Sequence, residues 1–264
     1  MTAPGAPPAV ALWLENISVR FGGLMAITDM TFEVKDGEVV SLIGPNGAGK
    51  TTAFNAITGF LQPSAGDIYY KGRRLNGLRP NEIAGLGVVR TFQKTSVFGA
   101  NTAFENVLIG LHRQGERRTW EIILDLPRVR REERRLREQA HEILDFVGLA
   151  PRAHELGSAL PYGDQRLLEV AIALAAKPEI LLLDEPVSGM NPAETASFMK
   201  MVGRIRALGI TILLVEHDMR MVMGVSERVV VLNQGEIIAD GPPEEIQRDP
   251  EVIRAYLGQG AGRA

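Results

Sequence analysis

The chain has 264 residues, of which 45% are hydrophobic and 23% charged, proportions that are typical of a globular protein. Its formal net charge of −3 argues against a nucleic-acid-binding surface, and the absence of cysteine excludes disulfides and thiolate metal sites. No apolar run approaches the roughly 18 residues of a transmembrane helix, and the Pro- and Ala-rich start lacks the pattern of a signal peptide.

The first part of the chain is predicted to be rich in strands. Residues 1–9 are expected to form a disordered leader, because Pro4, Pro7 and Pro8 leave little to pack. Residues 12–43 and 66–91 are typical of short strands separated by turns.

The segment after the apolar run Val39–Ile43 has the spacing of a phosphate-binding loop. It reads Gly44-Pro45-Asn46-Gly47-Ala48-Gly49-Lys50-Thr51, and the residues after it can form a helix. Small residues let backbone N–H groups point at a phosphate, Lys50 adds a positive charge, and the Thr51 hydroxyl can ligate Mg²⁺. The alternative, a chance Gly-rich turn, is disfavoured by the flanking strand and helix. The segment therefore predicts a site for ATP and Mg²⁺.

Residues 94–177 have helical character. Gln93, just before them, carries an amide that could reach Mg²⁺ and the attacking water. The helix predicted from Arg128 to Val147 has apolar residues on one side, and its arginines interleave with glutamates. A solvated charged face, with links such as Glu133 to Arg137, is favoured there over a lipid- or RNA-binding face.

A helix start is predicted at Leu160-Pro161-Tyr162-Gly163-Asp164-Gln165, because an amphipathic pattern follows it. Gly163 and the polar residues after it would leave N–H groups at the positive end of that helix, where a γ-phosphate could bind. Taken alone, the same pattern is ordinary helix capping.

Two buried strands end in residues that suit phosphate chemistry. Ile180–Leu183 is followed by Asp184-Glu185, at the strand end where doubly wound sheets bind their ligands. Asp184 is predicted to hold Mg²⁺ through water, and Glu185 to be the general base. An exposed acidic turn is the alternative reading, since Pro186 comes next.

The second of these strands, residues 210–215, is followed by Glu216-His217-Asp218. His217 can contact the γ-phosphate, although a lone histidine is more often structural. Further on, Asn233-Gln234-Gly235 predicts a hairpin turn. Residues 242–258 predict a helical tail with a second start at Pro250.

The order of these motifs resembles the nucleotide-binding subunits of ATP-binding-cassette (ABC) transporters over nearly the whole chain. Five segments are most similar to the ATPases of branched-chain amino acid importers: Phe21–Leu24, Arg90–Gln93, Leu160–Gly163, Ser188–Pro192 and Val252–Gly258. The resemblance implies that Phe21 stacks on adenine, that the loop around Asn191 joins two subunits, and that Gln93 communicates with a membrane partner. It also implies that two ATP molecules are held head to tail between two subunits. Each ATP molecule then faces the other subunit's signature segment, which in this chain is Leu160–Gln165.

The signature segment departs from the common family pattern. Pro161 stands where serine is usual, Tyr162 where the first glycine is usual, and Asp164 where glutamine is common, while Gly163 matches. Pro161 offers neither an N–H nor a hydroxyl, so this signature is expected to be the weaker one of a pair. A heterodimer with a sister ATPase is therefore predicted, with a homodimer as the alternative.

The predicted fold is an α/β phosphate-loop NTPase with a RecA-like core, an antiparallel β-subdomain and an α-helical subdomain over about residues 94–177. Residues 10–240 are expected to form a single ATPase domain, and residues 241–264 a C-terminal extension. The residues expected to contact the nucleotide are Phe21, Gly44, Asn46, Gly47, Gly49, Lys50, Thr51, Thr52, Tyr162, Gly163 and Asp164. Those expected to hold Mg²⁺ are Thr51, Gln93 and Asp184, and the expected catalytic residues are Glu185, His217 and Gln93.

The predicted function is that of the ATP-hydrolysing motor subunit of an amino acid importer, peripheral at the cytoplasmic face of the inner membrane. Its expected partners are integral membrane permease subunits, a second ATPase and, indirectly, an extracytoplasmic solute-binding protein. Urea or short amides are alternative cargoes. The rivals from other classes are a cassette ATPase that acts on nucleic acid or ribosomes, and a phosphate-loop kinase.

Overall fold

The structure, a computed structural model, describes residues 10–91, 97–112 and 127–257. The expected leader over residues 1–9 and the candidate residue Gln93 lie outside the described residues. The described strands are β1 (Val10–Phe21), β2 (Leu24–Lys35), β3 (Val39–Ile43), β4 (Ala65–Tyr70), β5 (Arg73–Arg74), β6 (Val88–Arg90), β7 (Ile180–Asp184), β8 (Thr211–Val215), β9 (Arg228–Asn233) and β10 (Glu236–Gly241). The described helices are α1 (Lys50–Ile57), α2 (Pro80–Gly85), α3 (Ala103–His112), α4 (Pro127–Val147), α5 (Tyr162–Ala175), α6 (Pro192–Ala207), α7 (Met219–Val225), α8 (Pro243–Ile246) and α9 (Pro250–Leu257).

The chain divides into two compact units. The first comprises Met1–Arg90, Glu179–Ser188 and Thr195–Ala264, and the second comprises Thr91–Pro178 and Gly189–Glu194. Both sheets of the described residues belong to the first unit.

The smaller sheet of the first unit has the strand order β2-β1-β4-β5, and its strands pair antiparallel. Along β1 the buried residues Leu12 and Leu14 lie opposite Val34 and Phe32 of β2, so apolar side chains from neighbouring strands meet on one face. This sheet confirms the predicted antiparallel β-rich part.

The larger sheet has the order β10-β9-β3-β8-β7-β6. Strands β9, β3, β8, β7 and β6 run parallel, and β10 is an antiparallel edge strand. Every residue of β3, β7 and β8 is buried, as expected of strands covered on both faces. Val215 at the end of β8 pairs with both Leu42 and Asp184, so the segments that follow β3, β7 and β8 leave the sheet at one edge.

The second unit is built from helices α3, α4 and α5, which pack against one another. A Cβ at Gly110 of α3 would lie 2.9 Å from the backbone oxygen of Ile172 and from the Cβ of Ala175. Glycine at this position therefore lets α3 and α5 approach closely. Helix α4 confirms the helix predicted from Arg128 to Val147, and Arg137 forms the expected exposed ion pair with Glu133 at 2.9 Å.

One local prediction is wrong, because residues 66–91 contain helix α2 as well as strands. Arg79 is extended before the helix, Pro80 occupies its first turn, and Glu82 accepts a hydrogen bond from the Arg79 N–H at 2.8 Å. Proline in the first turn and an acidic residue three positions after the cap are helix-start signals that a strand-based reading overlooks.

The last part of the chain follows its predictions. Gln234 and Gly235 have φ angles of +48° and +88° in the turn between β9 and β10, as a hairpin turn with positive φ requires. The helical tail consists of α8 and α9, and α9 begins at Pro250. Within the described ranges, none of the helices combines the length and the apolar character needed to cross a membrane.

Candidate active site

The loop between β3 and α1 is shaped by glycines and by contacts to β9 and its turn. Gly44, Gly47 and Gly49 have φ angles of +151°, +81° and +108°. A Cβ on Gly44 would lie 2.0 Å from the backbone oxygen of Leu232, so no other residue fits at this position without moving the backbone. The Gly235 N–H donates to the Ala48 carbonyl oxygen at 3.0 Å and holds the loop against the β9–β10 turn.

Lys50 lies at the start of α1 with its side chain turned back over the loop. The residue is only 8% exposed, and Nζ donates to the carbonyl oxygens of Gly44 at 2.6 Å and Pro45 at 3.0 Å. Burial lowers the pKa of Lys50, while the charges of Glu185 and Asp184 act in the opposite direction. The loop thus concentrates one positive charge where its backbone turns, which suits a phosphate.

The other loop residues that are expected to contact the nucleotide differ in exposure. Asn46 and Gly47 are exposed at the crest of the loop, and Thr51 is exposed in the first turn of α1. Thr52, beside it, is half-buried. Phe54 and Ile57 of α1 are fully buried in the core of the first unit.

Asp184 ends β7 and is 2% exposed. Its Oδ2 accepts a hydrogen bond from Arg90 Nη2 at 2.7 Å, and Arg90 is the last residue of β6. Sequence reasoning missed Arg90; its only local signal is an arginine at the carboxyl end of the strand Val88–Arg90.

Glu185 follows Asp184 in a left-handed conformation, with φ +47°. Its N–H donates to the Val215 carbonyl oxygen at 2.8 Å, and its side chain is half-buried. Five other non-glycine residues in the described part of the chain also have positive φ, so this conformation alone does not mark a functional site.

Glu216 fixes the two loops that follow β7 and β8, a role that sequence reasoning did not assign. Its fully buried carboxylate accepts backbone hydrogen bonds from Val187 at 3.0 Å, His217 at 2.8 Å and Asp218 at 3.1 Å. His217 itself is exposed, with Nδ1 3.7 Å from Glu216 Oε2. Glu185 and His217 therefore lie on segments that one carboxylate ties together.

Phe21 lies at the end of β1 and is 51% exposed, opposite the still more exposed Leu24 across the β1–β2 turn. An exposed ring of this kind can stack on a base.

The C-terminal helix α9 contributes to the surroundings of the phosphate-binding loop. Arg254 and Ala255 of α9 line a cavity of about 290 Å³ together with residues 45–48 and with Asn233 and Gln234. Burial raises the pKa of Tyr256, and the backbone amide of Gly44 opposes the shift.

Comparison with known proteins identifies the family. The family described as ABC transporter matches residues 27–188, and the one described as branched-chain amino acid ATP-binding cassette transporter matches residues 236–262. The high-affinity branched-chain amino acid transport ATP-binding protein LivG of Salmonella typhimurium is 46% identical over 249 residues, which cover 94% of this chain and 98% of LivG. The chain belongs to the ABC transporter family.

Other members of the family agree with this assignment. BraF of Pseudomonas aeruginosa, also named a branched-chain amino acid transport ATP-binding protein, is 44% identical over 249 residues, covering 94% of this chain and 98% of BraF. A crystal structure of a nucleotide-free ATP-binding cassette from an ABC transporter matches with a TM-score of 0.82 at 33% identity, covering 94% of this chain and 98% of that one. The predicted family and the predicted α/β phosphate-loop fold are confirmed, and as an ABC ATPase the chain hydrolyses ATP.

The signature segment of this ABC ATPase lies in the second unit, at the start of α5. Pro161 precedes the helix and provides no side-chain cap. The Tyr162 hydroxyl accepts hydrogen bonds from Arg166 Nη2 at 2.6 Å and Nε at 3.1 Å, so the ring is held on its own helix. Gly163 is buried, and a Cβ there would lie 2.9 Å from Glu194 Oε1.

The third signature residue expected to contact the nucleotide, Asp164, forms an ion pair with Arg152 at 3.2 Å. The charges of Asp184 and Glu185 thus act on Lys50 within the first unit, and the signature side chains have partners within the second.

Proposed function

We propose that this ABC ATPase powers the import of branched-chain amino acids, working at the cytoplasmic face of the inner membrane as a peripheral subunit. The observation that carries the proposal is the 46% identity with LivG over 94% of this chain. The match of residues 236–262 to the branched-chain amino acid transporter family supports it from a second part of the chain.

The residues of the phosphate-binding loop and of the strand ends have proposed roles in nucleotide binding and hydrolysis. The loop amides and Lys50 bind the phosphates, Phe21 stacks on adenine, and Glu185 takes a proton from the attacking water. His217 contacts the γ-phosphate. Gln93, which lies outside the described residues, is proposed to reach the water and the permease.

The site also suits Mg²⁺. Asp184 offers a buried carboxylate at the end of β7 and Thr51 an exposed hydroxyl at the start of α1, and Mg²⁺ prefers oxygen ligands from one or two carboxylates together with substrate phosphates and water. Bound there, the ion would neutralise charge on the phosphates.

The working unit is proposed to be a heterodimer. A similar ATP-binding cassette, 26% identical, is dimeric in a structure with ADP and Pi bound; its TM-score is 0.74, and the match covers 88% of this chain and 98% of that one. The partner's signature would then face Lys50 and Glu185, and this chain's weaker signature would face the partner's nucleotide. One feature supports the weakness: Pro161 has no N–H and no hydroxyl to donate to a phosphate.

The heterodimer is tested by ATP-trapped dimerisation of Glu185→Gln chains, alone and mixed with a sister ATPase. We expect the mixture to dimerise and the single chain to remain monomeric unless Pro161→Ser and Tyr162→Gly are added. A tight homodimer of the chain with its own signature, unchanged by these substitutions, would contradict the proposal.

The transport function is tested by co-expression with candidate permease subunits, purification of the complex and reconstitution with the solute-binding protein in liposomes. ATP-dependent uptake of leucine, isoleucine and valine is expected, together with co-purification of the membrane subunits. Uptake of urea or acetamide in place of leucine would overturn the cargo. Co-purification with RNA or ribosomes, without membrane subunits, would overturn the transport function.

A further inference from the structure

Arg90 is a buried cation in direct contact with the carboxylate that is proposed to hold Mg²⁺. Its side chain is 6% exposed and that of Asp184 1% exposed, and Nη2 lies 2.7 Å from Oδ2. A buried charge is costly unless it is paired, so this contact offsets part of the cost of burying the two side chains.

The other side of the Arg90 guanidinium contacts helix α1. Nη1 donates to Asn55 Oδ1 at 2.7 Å and lies 3.5 Å from Thr58 Oγ1. The guanidinium carbon lies 5.4 Å from the centre of the Phe54 ring, which is fully buried. One rigid, planar group thus joins α1 to the end of β7.

This bridge connects the two elements that carry the residues proposed to hold Mg²⁺, Thr51 directly and Asp184 through water. Thr51 lies in the first turn of α1, and Asp184 ends β7. Because the guanidinium presents its donors in a fixed fork, contact with both elements restricts the orientation of the Asp184 carboxylate relative to α1. Mg²⁺ requires near-ideal octahedral geometry, so small errors between ligands on different elements weaken its binding.

We propose that Arg90 is a positioning residue for the magnesium site, which holds the Asp184 carboxylate in register with α1. The inference rests on the proposed Mg²⁺ site of Thr51 and Asp184. In this role Arg90 orients the Asp184 carboxylate and does not only neutralise its charge. A guanidinium that only neutralised Asp184 would compete with the metal ion, and its removal would tighten Mg²⁺ binding.

The test is a Mg²⁺ titration of fluorescent ATP-analogue binding to the full chain, with the affinity in EDTA measured alongside. We expect Arg90→Met to raise the Mg²⁺ concentration at half effect by about 10- to 100-fold, the usual consequence of removing a partner of a metal ligand. Affinity in EDTA should stay within about 2-fold, because Arg90 is not proposed to contact the nucleotide. The Mg²⁺ midpoint of Arg90→Lys should lie between those of the wild-type protein and Arg90→Met. An ammonium group can keep the contact with Asp184 but cannot also present donors to α1 as the planar guanidinium does.

A matched control is Arg228→Met. Arg228 is also a partly buried arginine of the first unit, and it pairs with Glu38 and Asp240 at 2.9 and 2.8 Å. Its loss should lower stability and leave the Mg²⁺ midpoint unchanged. An equal shift of the Mg²⁺ midpoint in Arg90→Met and Arg228→Met would mean that general destabilisation causes both shifts, and the proposal would be wrong.

Two further variants keep the outcome decisive. Asn55→Leu removes one contact of the guanidinium but keeps the ion pair with Asp184, so it replaces Arg90→Met if that variant fails to fold. We expect Asn55→Leu to raise the Mg²⁺ midpoint by less than Arg90→Met does. An unchanged midpoint would contradict the positioning role. Asp184→Asn tests the metal site itself. If Asp184→Asn leaves the Mg²⁺ dependence intact, the proposed metal site is wrong. If Asp184→Asn shifts the Mg²⁺ midpoint but Arg90→Met leaves it unchanged or tightens Mg²⁺ binding, the positioning role of Arg90 is wrong.

Discussion

Replacing Glu216 should damage both the stability and the catalytic rate of this ATPase. Its carboxylate accepts one hydrogen bond at Oε1 and two at Oε2, all from backbone N–H groups, and it is fully buried. In Glu216→Gln, the amide oxygen can keep the two bonds from His217 and Asp218, but the NH₂ group then faces the Val187 N–H.

The expected cost follows from these contacts. A lost hydrogen bond to a charged group costs about 1.5–3 kcal/mol, and two donors facing each other add to it, so we expect about 2–3 kcal/mol for Glu216→Gln. For a chain of this size, that corresponds to a fall in Tm of roughly 4–12 °C. Glu216→Ala leaves all three donors without the carboxylate and should cost more.

The assay combines thermal unfolding with steady-state ATPase measurements well below Tm. Because Glu216 ties together the loops that carry Glu185 and His217, kcat should fall by about 10- to 100-fold through misplacement of these groups, with a smaller change in KM. The control is Glu227→Gln. Glu227 is a partly exposed carboxylate that accepts one backbone bond, from Val39 at 3.1 Å, and pairs with the exposed Arg206, and losing its charge should cost less than about 1 kcal/mol. A Glu216→Gln variant with wild-type Tm and kcat would refute the reasoning.

Three other predictions concern binding. Lys50→Ala should weaken ATP binding by about 2–5 kcal/mol, because it removes a phosphate-facing cation; unchanged affinity in calorimetric titration would contradict the phosphate-loop assignment. Phe21→Ala should raise the Kd for ATP about 5- to 150-fold through lost base stacking but leave tripolyphosphate binding unchanged, and an equal loss for both ligands would argue against stacking. Phe98 is 51% exposed and lies five positions after Gln93, which is proposed to reach the permease. Phe98→Ser should abolish co-purification with membrane subunits and spare basal ATPase activity, whereas Phe60→Ser, 55% exposed in the other unit, should spare both. Co-purification of Phe98→Ser at the wild-type level would contradict a permease contact near Gln93.

The sequence predicted the parts of the site that are encoded locally. The glycine spacing of residues 44–49 reflects a backbone that must take positive φ, and Asp184-Glu185 directly follows a buried strand, so both signals lie within a few residues. Their chemical roles, like the division into a domain over residues 10–240 and an extension over residues 241–264, stay predictions.

The partners that organise the site were not predictable, because they come from distant parts of the chain. Arg90 and Asp184 are 94 positions apart, and Glu216 and Val187 are 29 apart. Neither pair leaves a pattern in sequence spacing; each meets only because parallel strands bring their carboxyl ends to one edge of the sheet.

The central claim is that Glu185, at the end of β7, is the base of an ATP-hydrolysing site formed in the first unit. The most direct measurement is the rate of phosphate release from pre-bound Mg²⁺-ATP, compared between the wild-type and Glu185→Gln proteins in the complete transporter. The account predicts that Glu185→Gln retains ATP affinity within about 3-fold and slows release at least about 100-fold, the usual contribution of a general base. Near-normal release in Glu185→Gln would contradict the account and make His217 the next candidate for the base.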